Sequence, residues 1–245
     1  MFESYVAFRF KEGRLQPVKH PHIPDFDSLL HIDYQKETLK RNTLQLIKGL
    51  PANDVLLWGE RGTGKSSLVK SMLGLFAKEG LRIVQVYKMD IMHLSELYDA
   101  LREREEKFIL FFDDLSFEPE DENVRVLKSM MDGDVEERPQ NLVIYATSNR
   151  RHLMPEVQRD EKFPEESHRE RVSLVERFGI RLGFFAFGKE QYLSIVESLA
   201  LRRGLNIDKK ELESLALQWA INNGFSGRSA FQFIKDLEGM LKLKG

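Results

Sequence analysis

The chain contains no cysteine in 245 residues, which excludes a disulfide framework and a thiolate metal site. No apolar run approaches the roughly 18 residues that a membrane helix needs, and residues 1–20 lack the apolar core of a signal peptide. These absences favour the cytoplasm. Neither charge sign dominates: 37 Lys and Arg oppose 39 Asp and Glu, for a net charge of −2 and a pI near 6.3. That balance argues against a dominant nucleic-acid surface, while leaving room for a local basic stripe. Internal repeats and low-complexity tracts are missing as well. What remains is a chain that is 42% apolar and 31% charged, long enough for one large domain or a larger one with a small satellite.

The most informative stretch is Gly59-Glu60-Arg61-Gly62-Thr63-Gly64-Lys65-Ser66, followed by Ser67 and preceded by the apolar run Val55-Leu56-Leu57-Trp58. It fits G-x-x-x-x-G-K-[ST], the phosphate-binding P-loop, between an apolar strand and a helix expected over 66–78. Glycines let consecutive backbone N–H groups turn inward as a nest for phosphate oxygens, and the helix adds its positive end. Lys65 supplies a mobile point charge for the β- and γ-phosphates, and the Ser66 hydroxyl is a hard oxygen ligand for Mg²⁺. The plainer alternative is an ordinary Gly-rich strand–helix turn. A nucleoside triphosphate site is the reading taken here.

A second cluster follows about 50 residues later. Phe108 to Phe112 form a run of five apolar residues, of the kind buried on both faces at the centre of a parallel sheet, and Asp113-Asp114 follow at its C-terminal end. At that distance from a P-loop the pair reads as a Walker B site: Asp113 organises Mg²⁺, and Asp114 orients or deprotonates the attacking water. Residues 142–146 form another buried strand, ending in Thr147-Ser148-Asn149. The Asn149 amide can hold that water against the γ-phosphate, or it can serve as a turn or cap.

The rest of the chain alternates helices and strands. Residues 1–24 read as an N-terminal arm in which 5–10 can form an edge strand and Pro17, Pro21 and Pro24 keep the backbone extended. His20 and His22 flank a proline without a third ligand nearby. Helices are expected over 34–48 and 94–104, and strands over 82–87 and 180–187. The charge run 102–107 reads as a solvated helix end, and 155–172 as an exposed loop suited to partner contacts. After Gly188 three amphipathic helices follow at 189–203, 208–222 and 226–243. Asp208 and Ser226 are expected N-caps, and Gly204 and Gly224 stops.

The order P-loop, Walker B, Thr147-Ser148-Asn149, Arg177-Phe178-Gly179 and Ser226-Gly227-Arg228 resembles the AAA+ ATPases, from about residue 29 to the end. More narrowly, the P-loop with Ser67, Phe112-Asp113-Asp114-Leu115-Ser116-Phe117 and residues 146–153 resemble a bacterial group of AAA+ ATPases catalogued as domain of unknown function 815. The resemblance implies that Asn149 is sensor 1, Arg177 an arginine finger and Arg228 sensor 2. It places adenine between the stretch Leu29 to Ile32, with Leu30 and His31, and the lid near Arg228. An arginine finger in turn implies a homo-oligomer. Two departures stand out: Asp114 replaces the glutamate that many AAA+ motors carry, and Lys88-Met89-Asp90-Ile91-Met92 lacks the aromatic-hydrophobic-Gly pattern of a threading loop.

The expected fold is therefore α/β: a P-loop NTPase of AAA+ type with a five-stranded parallel sheet and a C-terminal helical lid. Residues 1–24 are the arm, 25–188 the ATPase core and 189–245 the lid. The expected function is Mg²⁺-dependent ATP binding and hydrolysis that does conformational work on an unidentified protein partner. A DNA-associated loader and a nucleotide-gated scaffold with little hydrolysis are the alternatives. A small-molecule kinase shares the P-loop but not the late Arg-Phe-Gly and Gly-Arg motifs.

Overall fold

The computed structural model describes residues 1–118, 121–133, 135, 137–151, 153 and 173–244. The loop expected over 155–172 lies outside them. Among the described residues seven strands form one sheet: β1 (Ala7–Lys11), β2 (Arg14–Pro17), β3 (Val55–Gly59), β4 (Leu81–Val86), β5 (Lys107–Phe112), β6 (Leu142–Ser148) and β7 (Ile180–Phe184). Their order is β2-β1-β4-β5-β6-β3-β7, and every pairing is parallel except β1 with β2. The five strands β4 to β7 with β3 are the expected sheet. The other two come from the N-terminal residues: β1 pairs with β4 instead of forming an edge, and β2 turns back on it to become the edge. Pro17 fits there because an edge position tolerates a residue without an N–H.

Both faces of the sheet are covered, which explains the near-continuous apolar strands. Alternate residues of β3, β5 and β6 (Val55 and Leu57, Ile109 and Phe111, Val143 and Tyr145) join α1 (Asp33–Ile47) and α2 (Lys65–Phe76) in one core. Their neighbours (Leu56, Leu110, Ile144 and Ala146) pack with α3 (Leu94–Arg102) and α4 (Asn123–Asp132) in the other. Helix α4 was not foreseen, although Val124, Leu127 and Met131 lie on its buried face at helical spacing. Helix α3 stops at Arg102, two residues early, and Lys107 already belongs to β5, so the charge run bridges a helix and a strand. A 3-10 helix fills Lys88–His93.

Two buried polar clusters fix the frame around the sheet. Asp54 accepts two bonds from Arg138, at 2.5 and 2.6 Å, and one from the Ile144 amide at 2.6 Å. Asn42 of α1 exchanges bonds with the Asn53 backbone and donates to the Tyr145 hydroxyl, which also meets Thr43. After β7 come α5 (Lys189–Arg202), α6 (Lys209–Asn223) and α7 (Gly227–Lys244). Asp208 caps α6 through the Lys210 and Glu211 amides, and the Ser226 hydroxyl accepts from the Ser229 amide at the start of α7. Tyr192, Ile195, Ala216, Phe233 and Ile234 of these helices are buried in the same core as α1 and α2.

Candidate nucleotide site

The site is built where β5, β6 and β3 end side by side. Their register sets Phe112 opposite Ala146 and Ser148 opposite Trp58, so the acids after β5, the polar end of β6 and the loop after β3 share one rim. Gly59 lies so close to β7 that a Cβ there would stand 2.0 Å from the Phe184 carbonyl oxygen, and Glu60 donates its amide to that same oxygen at 2.9 Å. The loop is thus anchored on β7 before it turns. Thr63 braces it from inside, donating to the Glu60 carbonyl at 2.7 Å, while the Glu60 and Arg61 side chains are exposed.

Lys65, only 7% exposed, begins α2 and donates to the Gly59 and Glu60 carbonyls at 2.8 and 2.6 Å. Burial pulls the pKa of its ammonium below the usual lysine value, against the opposing pull of Asp114 and Glu60. The like charge of Arg228, at the start of α7, lowers it further. Ser66 donates to Asp113 Oδ1 at 2.5 Å, and Asn149 Nδ2 donates to Asp114 Oδ1 at 2.6 Å. Lys70 stands 3.8 Å from Asp113 Oδ2.

The lid meets the loop directly. Arg228 donates its amide to the Gly62 carbonyl at 3.3 Å, and a Cβ on Gly62 would lie 3.0 to 3.2 Å from Ser226 and Arg228 side-chain atoms. On the other flank, a Cβ on Gly64 would be 3.6 Å from Ile32 Cδ1 and 3.8 Å from Leu29 Cδ2. Leu30 packs against the core, and His31 turns to α5, with Nε2 3.1 Å from Ser194 Oγ and its ring 6.3 Å from that of Phe187. Ser67 is half-buried in the first turn of α2.

Arg177 does not join this cluster. Its Nε and Nη2 donate to Asp132 Oδ2 at 2.8 and 2.5 Å, and Nη1 donates to the Ser173 carbonyl. A surface pairing with Glu176 or Glu170 is the plainer alternative to an arginine finger; Glu170 lies outside the described residues. The partner found is Asp132, at the end of the unforeseen α4.

The residues present fit a triphosphate and a divalent cation. A Gly-rich loop with left-handed glycines, a buried ammonium and a serine hydroxyl beside a carboxylate provide nest, counter-charge and hard oxygen donors. Among the described residues no group of three or more His, Cys, Asp or Glu could hold a metal ion by itself, and His20 and His22 form none. Magnesium carried in with a nucleotide needs no such group, because it is held by one or two protein oxygens together with phosphates.

The family described as "Protein of unknown function (DUF815)" matches residues 3–241. The chain belongs to the DUF815 family. No curated protein matches the DUF815 chain. Among solved structures it is similar to the Thermotoga maritima RuvB Holliday junction branch migration motor, at 16% identity and a TM-score of 0.59 over 91% of this chain and 66% of that one. A T. maritima RuvB variant gives 18% identity and a TM-score of 0.61, over 89% and 65%. RuvB is an AAA+ ATPase, and at such identities the likeness shows the fold: the DUF815 chain has the AAA+ fold. It spans just under two thirds of the RuvB chains that it matches.

Two residues at the rim escaped the sequence reading. Lys70 falls on the α2 face turned to Asp113, one helical turn after Ser66, a spacing visible in the sequence. Thr147 was taken as part of a polar strand tip, but it lies inside β6 and is buried. Its hydroxyl donates to Asp113 Oδ1 at 2.8 Å and accepts the Asp114 amide at 2.9 Å.

Proposed function

We propose that the protein is an AAA+ ATPase that binds ATP between its P-loop and its lid and hydrolyses it to do conformational work on a protein partner. The observation that carries this reading is the convergence of Lys65, Ser66, Asp113, Asp114 and Asn149 on one rim that the start of α7, with Arg228, closes from above. Lys65 and the loop amides hold the phosphates. Ser66 and Asp113 hold Mg²⁺, which draws charge from the phosphate oxygens when bound. Asn149 fixes one oxygen of Asp114 and leaves the other to take a proton from water as its oxygen bonds the γ-phosphorus and the bond to ADP breaks. Leu29 to Ile32 supply an apolar wall for the base.

Arg177 belongs to the same proposal as the residue that a second copy offers to this site, so that the active form is a homo-oligomer. Its bonds to Asp132 hold it away from its own subunit's P-loop cluster. The core is taken as residues 25–188 and the lid as 189–245. Among the described residues no helix is long and apolar enough to cross a membrane, which agrees with a cytoplasmic setting.

A protein partner is favoured over DNA by one surface. Tyr87, Met89 and Met92 are exposed beyond β4, Met89 at 75%, and Asp90 between them is buried and accepts the Glu12 amide at 2.7 Å. Methionines on an anchored segment suit adaptable apolar contacts better than phosphate. DNA work of the RuvB kind has in its favour the fold and Arg150-Arg151, against a net charge of −2.

The test is a titration of ATP with Mg²⁺ into wild type and Lys65→Ala, alongside phosphate release and a DNA titration at two salt concentrations. Wild type should bind and hydrolyse ATP, Lys65→Ala should lose binding while keeping its fold, and DNA affinity should be weak. Wild-type affinity in Lys65→Ala would remove the P-loop assignment. Tight, steeply salt-dependent DNA binding would replace the protein partner by DNA.

A further inference from the structure

We infer that Thr147 is a positioning residue for both Walker B acids, acting through a single buried hydroxyl; the inference rests on the ATPase reading of the site. Thr147 is 1% exposed and lies in β6 beside Leu57 of β3. Strand alternation places it on the same face as Tyr145, toward α1 and α2. There its hydroxyl does two things at once. It donates to Asp113 Oδ1 at 2.8 Å, next to the Ser66 hydroxyl on the same oxygen at 2.5 Å. It also accepts the Asp114 amide at 2.9 Å, while the Thr147 carbonyl takes the Leu115 amide at 2.7 Å.

The second bond matters because Asp114 is a non-glycine residue at φ 56°, in the left-handed region. Such a conformation is uncommon outside glycine and persists where its surroundings hold it. The Thr147 hydroxyl and carbonyl hold the backbone on both sides of the turn, and Asn149 holds the side chain at 2.6 Å. Asp113 leaves the strand directly and Asp114 is kinked away from it, so one hydroxyl sets the angle between the acid that faces Ser66 and the acid that faces Asn149. With both Asp113 Oδ1 bonds in place, Oδ2 is the oxygen turned toward Lys70, 3.8 Å away. Replacing the hydroxyl by a methyl frees both acids without emptying the space.

The test compares Thr147→Val, nearly isosteric and suited to a strand, with Thr147→Ser and Thr147→Ala. A ligand-free measurement comes first: hydrogen exchange at the Asp114 amide, which should be protected in wild type and Thr147→Ser and faster by tenfold or more in Thr147→Val. The second is the Kd of a fluorescent ATP analogue with Mg²⁺ and with EDTA, alongside kcat. Removal of a group that orients a metal ligand typically costs 10–100-fold. Thr147→Val should therefore lose at least about tenfold of the Mg²⁺-dependent gain in affinity and of kcat, with affinity in EDTA unchanged. Thr147→Ser should stay within about threefold of wild type. Should Thr147→Val fail to fold, Thr147→Ala is read in its place.

Wild-type exchange, Mg²⁺ dependence and kcat in the hydroxyl-free variants would overturn the inference, as would equal damage in Thr147→Ser. If exchange responds as expected but wild type shows no Mg²⁺-dependent ATP binding, the ATPase reading fails while the local geometry stands.

Discussion

Replacing Gly62 by alanine should push the lid off the P-loop. Two costs add up. The residue has φ 74°, and an L side chain there costs about 1–2 kcal/mol. The new methyl would also stand 3.0 Å from Ser226 Oγ, 3.1 Å from Ser226 Cβ and 3.2 Å from Arg228 Cβ, so the start of α7 must recede. Overpacking of that kind adds about 1–3 kcal/mol. Gly204→Ala separates the two costs: it has φ 63° and nothing within 4 Å of an added Cβ, so it carries the backbone cost alone. In a chain of this size each kcal/mol lowers Tm by about 2–4 °C. Gly62→Ala should then melt about 4–20 °C lower than wild type, and Gly204→Ala about 2–8 °C lower. Receding also removes the bond from the Arg228 amide to the Gly62 carbonyl, worth about 0.5–1.5 kcal/mol, so ATP affinity should fall about two- to tenfold in Gly62→Ala only. Thermal melts followed by circular dichroism and a fluorescent nucleotide titration read both effects. If Gly62→Ala melts with Gly204→Ala and binds ATP like wild type, the lid does not rest on the loop in solution.

Other outcomes test the rest of the site and its frame. Asp114→Asn should bind ATP yet release phosphate at least about tenfold more slowly, since loss of a positioned base costs 10²–10⁴-fold. Arg228→Ala should narrow the difference between ATP and ADP affinity more than it lowers either one; an equal loss for both nucleotides would mark a purely structural arginine. Arg177→Ala should bind ATP normally but be inactive, and wild-type activity per subunit should rise with protein concentration. A flat specific activity across the assembly range, with no recovery on mixing Arg177→Ala and Lys65→Ala, would show that Arg177 does not act in trans. Asp54→Ala strands Arg138, a side chain only 19% exposed, and should cost about 3–5 kcal/mol in urea denaturation without touching the nucleotide site.

The parts of the site visible in the sequence are those whose chemistry is local. A phosphate nest needs glycines, a lysine and a hydroxyl at fixed offsets, so residues 59–66 spell it out. Asp113 and Asp114 show because a strand buried on both faces must end before a carboxylate can be solvated. What stayed hidden depends on partners far along the chain. Nothing near Thr147 says that its hydroxyl meets two acids more than thirty residues earlier. Nothing near Gly62 says that Ser226 will lie against it. Arg177 is similar: its motif was legible, but Asp132 belongs to a helix whose mixed composition concealed it. Of the N-terminal strands, β1 was legible in its apolar residues, while β2 was missed for another reason, since it has four residues with no apolar alternation and closes on a proline.

That short hairpin changes what the sheet presents to other chains. In a five-stranded arrangement β4 would offer six residues of unpaired backbone, Leu81–Val86, mostly buried and apolar, which is a template for another strand to add to. With β1 laid along it, the ladder ends instead on Arg14–Pro17, four mostly exposed residues with a charge at one end and a proline at the other. Such an edge is a poor seed for runaway strand addition. At this end of the sheet, copies gathered at high local concentration are therefore steered away from stacking through their backbones.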